Sequence, residues 1–80
     1  MNQHLLSCVI ESICFFANSD DEQCDPDAAV AMLETIGRNL QELSPSELQQ
    51  FKDLVVRMST EAADEEMADC LLGIPEQLGL

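Results

Sequence analysis

Tryptophan and tyrosine are missing from this 80-residue chain, phenylalanine occurs only at Phe15, Phe16 and Phe51, and Arg38, Lys52 and Arg57 are its entire stock of lysine and arginine. Each scarcity excludes something. With so few rings there is no aromatic platform on which bases could stack. Three scattered cations cannot follow a phosphate backbone, so neither nucleic acid nor an anionic membrane is an expected partner. His4 is the single histidine, and although Cys8 lies one helical turn beyond it, two ligands do not make a zinc site. The three glycines fall in no phosphate-cradling loop and in no Gly-x-Ser-x-Gly elbow. No export leader is legible, and the most apolar stretch, Leu5 to Ala17, is interrupted by Ser7, Glu11 and Ser12 well short of the roughly 18 residues that span a bilayer. A cytoplasmic protein is the expectation.

Carboxylates and aliphatic side chains are what the chain has instead. Sixteen Asp and Glu give a net charge of -13, while 46% of the residues are hydrophobic. That apolar content is too high for a disordered acidic tail and suits one folded domain over residues 1–80 with a charged skin. A chain this short hides only about 60% of its unfolded surface, so its core must be thin. Cys8, Cys14, Cys24 and Cys70 read as reduced thiols, three of them on helices where they pack as small hydrophobes.

Helical periodicity organises nearly the whole chain. From Asn2 to Ala17 the positions Leu6, Val9, Ile10, Ile13, Phe16 and Ala17 follow one stripe, and Leu5, Cys8, Cys14 and Phe15 widen it until the helix needs cover on several sides. An acidic loop follows, up to Cys24. Asp25-Pro26-Asp27 then starts a second helix as N-cap, first-turn proline and dipole-complementing acid. Its stripe is Ala29, Met32, Leu33, Ile36, Leu40 and Leu43, with Gly37 open to a close approach, and its end is expected near Glu42. Ser44-Pro45-Ser46-Glu47 is a capping box that starts a third helix, with Leu43 and Leu48 placed as a hydrophobic staple.

The third helix buries Leu48, Phe51, Leu54, Val55, Met58 and Ala62, but Ala63, Met67, Cys70 and Leu71 point roughly 130° to 140° away from that stripe. Either the chain breaks near Ser59-Thr60 with Thr60 as a new cap, or one helix continues and offers its second stripe to another molecule. Gly73 and Pro75 are expected to end it. The architecture implied is an all-α bundle of three to four short helices, with helices 2 and 3 as a tight antiparallel hairpin.

Asp20, Asp21, Glu22, Asp25 and Asp27 crowd five carboxylates into the first loop, which invites a calcium reading. The EF-hand pattern fails, since Pro26 stands where the loop needs its turning glycine. No metal, no cofactor and no enzyme activity is expected, because abundant carboxylates on loops and polar faces lack the burial that raises one of them into a general acid. A second acidic block, Glu61, Asp64, Glu65, Glu66 and Asp69, has no basic residue after Arg57 to balance it. Such a block can serve solubility alone, or it can anchor a basic partner.

The functional expectation is a small, bacterial-type binding module that recognises a basic protein partner, in the manner of toxin-neutralising immunity proteins, antitoxins and mimics of nucleic-acid charge. Its expected contacts are Asp20, Asp21, Glu22, Asp25, Asp27, Glu61, Asp64, Glu65 and Asp69. The alternative is a structural or assembly role, as a helical homodimer, a secretion chaperone or an accessory subunit, since the stripes exceed what one small core hides.

Overall fold

The computed structural model describes residues 2–80 and is built from four α-helices: α1 (Gln3–Asn18), α2 (Pro26–Gln41), α3 (Pro45–Glu61) and α4 (Glu65–Gln77). The first three begin as the local signals require. Asn2 Oδ1 accepts the amides of His4 and Leu5, Asp25 accepts that of Ala28 at 3.1 Å, and Ser44 with Glu47 forms both halves of the capping box. Prolines at the first position of α2 and α3 remove a donor that no helix could use.

Helix α1 is the hub. Its Leu6, Ile10, Ile13 and Cys14 are buried, and it packs against each of the other three helices. Phe51, Leu54 and Val55 from α3 and Leu71 and Ile74 from α4 complete the core, which Leu40 closes from α2. Five large side chains, Phe51, Ile10, Ile13, Ile74 and Val55, are almost wholly hidden. Each large aliphatic or aromatic side chain removed from water contributes about 1.5–3 kcal/mol, and Leu6, Leu40, Leu54 and Leu71, only slightly less buried, add comparable amounts.

Three expectations need correction. The closest pair of helices is α3 with α4, not α2 with α3, and α2 lies on α1. A short connection made α2 and α3 look like neighbours, but the wide apolar face of α3 is covered by α1 and α4, whereas α2 packs on α1 and adds Leu40 to the shared core. Met32, placed on the buried stripe of α2, is exposed, and so is Cys8 on α1.

The second correction concerns the break. The helix runs past Thr60 to Glu61, turns at Ala62, and restarts with Asp64, whose carboxylate accepts the Met67 amide at 2.8 Å. The two apolar stripes belong to two helices, which removes the phase conflict. It also takes Glu61 and Glu65 off a common helix, while Asp64, Glu65 and Glu66 fall at the positive end of α4, where acids are favoured.

Third, Gly73 and Pro75 do not stop α4, which continues to Gln77. Interior proline costs about 3 kcal/mol. Burial of Ile74, with Leu78 and Leu80 docked on the core beyond it, offsets that cost. The glycine that ends the helix is Gly79, at φ 71°, with Leu80 N–H donating to the Pro75 carbonyl at 2.8 Å and Gly79 N–H to that of Glu76 at 3.2 Å. This pair of bonds is a Schellman closure.

Candidate functional site

The acidic loop is a tight turn that satisfies itself. Asp20 Oδ1 accepts the amides of Glu22 at 3.0 Å and Gln23 at 2.9 Å, its carbonyl accepts those of Gln23 and Cys24, and Gln23 Oε1 accepts the Asp20 amide. Asp20, Asp25 and Asp64 are therefore engaged in turn and cap bonds. Asp21, Glu22, Asp27, Glu61, Glu65 and Asp69 are exposed, and no hydrogen bond occupies their carboxylates among the described residues. Among the described residues no three His, Cys, Asp or Glu side chains converge as metal ligands, and none of the helices is long and apolar enough to cross a membrane.

Between the two acidic segments the structure opens a groove of about 570 Å³. The end of α1 supplies Cys14, Phe15 and Asn18, the end of α3 supplies Met58 and Ala62, and α4 supplies Met67 and Leu71. Ser19 and Gln23 of the acidic loop close one side, and Glu11 puts a carboxylate on the lining itself. Its floor is apolar because it is the top of the core: Leu71 and Cys14 are buried. Its walls hold the large side chains the core leaves uncovered, with Phe15 49% and Met67 43% exposed. Phe15 is braced edge-on by Phe16, ring centroids 5.5 Å apart.

Of the expected contact residues, the groove draws together the two segments but not every carboxylate. Ser19 and Gln23 bracket Asp20 to Glu22 on one margin, while Ala62 and Met67 bracket the stretch that carries Asp64, Glu65 and Glu66 on the other. Asp25 and Asp27 belong to the start of α2, and none of the nine expected carboxylates lines the groove itself. The residues that sequence reasoning left off the site are Phe15, Met58 and Met67. The signal for Phe15 was the widened stripe of α1 and that for Met67 the out-of-phase stripe now assigned to α4, whereas Met58 sits on the buried stripe of α3.

Cys14 of the groove floor meets a second thiol, which lies outside the lining. Cys70 Sγ lies 3.4 Å from Cys14 Sγ, and the Asn18 side-chain amide donates to Cys70 Sγ at 3.3 Å. Burial pushes the Cys14 thiol up from 9.0 to about 12, with the Cys70 sulfur and the Glu11 carboxylate adding to the rise. It is protonated at neutral pH, so its thiolate is a minor species and its reactions are slow.

Comparison with protein-family models, with curated proteins and with solved structures finds no match for this chain. The chemistry of the groove therefore rests on its own residues.

Proposed function

We propose that this protein is a binding module whose groove takes a basic amphipathic helix of a partner protein. The observation that carries the proposal is the apolar groove of α1, α3 and α4 lying between two acidic segments, in a chain of net charge -13. An amphipathic helix binds by laying apolar residues at i, i+3, i+4 and i+7 into such a floor while its polar face meets the rim. Phe15, Met58 and Met67 suit that task, because thioethers and an exposed ring adapt to varied side chains. Lysines and arginines on the partner then find unpaired carboxylates on both margins, which raises the association rate and selects against acidic competitors.

This function suits the class of immunity proteins, antitoxins and charge mimics, which act by occupying a basic target without chemistry of their own. A second copy of this chain is the poorer occupant, because it would bring a second charge of -13 to the same rim.

The test uses a designed helical peptide of about 16 residues, with leucines along one face and lysines on the other, labelled for fluorescence anisotropy. It should bind, and the affinity should fall as ionic strength rises from about 0.05 to about 0.5 M, where the Debye length drops from about 14 to about 4 Å. A glutamate-for-lysine version should not bind. Equal binding of a sequence-scrambled peptide, or self-association that accounts for the covered groove, would overturn the proposal.

A further inference from the structure

We infer that Cys14 and Cys70 form a reversible disulfide site that ties α4 to α1 beneath the groove. The inference stands independently of the partner, since it concerns only the two sulfurs and an oxidant.

The geometry carries it. The sulfurs are 3.4 Å apart, and a disulfide needs about 2.05 Å, so closure asks for a movement of about 1.4 Å. They come from α1 and α4, 56 positions apart in sequence, so the link spans most of the chain. Burial differs between them: Cys14 is 5% exposed, whereas Cys70 is partly exposed and meets an oxidant first. Cys8 is exposed and Cys24 lies on the acidic turn, and among the described residues neither thiol has another sulfur as hydrogen-bond partner.

The oxidant is a small disulfide such as oxidised glutathione. The Cys70 thiolate attacks one of its sulfurs, the glutathione S–S bond breaks, and one glutathione thiolate leaves. The Cys14 thiolate then attacks Cys70 Sγ in the mixed disulfide and expels the second glutathione thiolate. The two cysteines lose two protons and two electrons, and glutathione disulfide is reduced to two thiols that take up those protons. The second step is the slow one. Glu11 on its own helix and Cys70 across from it are the titratable groups facing Cys14, while Met58 and Ala62 from α3 do not titrate, so the buried thiol is rarely ionised. Once formed, the link fixes the spacing of two of the three helices that wall the groove.

The experiment uses the full chain carrying Cys8→Ser and Cys24→Ser, equilibrated with oxidised and reduced glutathione and read by mass spectrometry. Trypsin cuts after Arg38, Lys52 and Arg57, so Cys14 and Cys70 fall on different peptides. The expected result is loss of two hydrogens, a cross-link between residues 1–38 and 58–80, and a non-reduced melting midpoint raised by roughly 10–20 °C. A single glutathione adduct that never closes, or a free dithiol in excess oxidant, overturns the inference. In the unsubstituted chain, a dominant cross-link through Cys8 or Cys24 overturns it too.

Discussion

Two grooves of about 570 Å³ mark this small bundle, and they differ in how the chain's own tail meets them and in how their charge is balanced. The first, between α1, α3 and α4, has Cys14 and Leu71 for a floor and acidic segments for margins. The second lies between α2 and the end of α4, where Arg38, Gln41 and Gln77 share the lining with Val30 and Leu33. Leu78 reaches into it to lie 3.6 Å from where a side chain on Gly37 would start, and Gln41 Nε2 donates to the Leu78 carbonyl at 3.2 Å. The second groove is a seam that the chain's own tail partly fills through Leu78, with Val30 left exposed and Glu34 beside Arg38 in the lining. The first has Phe15 and Met67 exposed, and among the described residues no part of the C-terminal tail lines it. Size does not separate a site from a seam; uncovered apolar surface beside unbalanced charge does.

The sharpest way to break this contrast is by truncation. Leu71→Ala removes a buried floor residue of the first groove and should cost about 2–5 kcal/mol in urea unfolding. Leu78→Ala, at a partly buried position of the seam, should cost only about 1 kcal/mol. Equal costs would mean that the tail holds the core as firmly as the groove floor does.

Alkali probes the same floor. Cys14 keeps its proton to about 12 in the folded chain against 9.0 ordinarily. Below about pH 9 neither state ionises and stability is unaffected. Above it the unfolded thiol loses its proton while the folded one retains it, so stability falls by up to about 1.4 kcal/mol per pH unit until the folded thiol ionises as well. Thermal melts from pH 8 to pH 11 should show this slope, and Cys14→Ala should flatten it.

Smaller effects test the helix ends. Asp64→Ala removes the cap of α4 and should cost about 1 kcal/mol, measurable in urea. Gly73→Ala, with open space around the added methyl, and Gly37→Ala, where that methyl makes ordinary contact with Leu78, should each stabilise by up to about 1 kcal/mol. Destabilisation by Gly37→Ala would show the seam to be tighter than its geometry.

The sequence declared the helices through short-range chemistry. Asp25-Pro26-Asp27 and Ser44-Pro45-Ser46-Glu47 each act within one turn, so both starts were legible and both formed. The restart was less so, because Thr60 and Asp64 are both competent caps, and the choice falls to how Met58, Ala62 and Leu71 pack. Gly73 and Pro75 misled for the same reason: their local preference to stop is outweighed by burial of Ile74, Leu78 and Leu80, which no local rule weighs. Pairing of α3 with α4 depends likewise on which faces meet. Of the groove, the carboxylates and the surplus stripes were visible in advance, but their juxtaposition was not. That needs the bundle to bring the end of α1 against the junction of α3 and α4.

The most direct measurement of the central claim is the affinity of the leucine–lysine peptide for the protein carrying Phe15→Asp and Met67→Asp, two exposed positions whose change leaves the core intact. Val30→Asp in the seam serves as the control, since it is equally exposed and adds the same kind of charge. The groove account predicts at least a tenfold loss of affinity in the first variant, about 1.4 kcal/mol, and less than about a twofold change in the second. Equal affinity for both variants would contradict it and leave the acidity as a property of the surface alone.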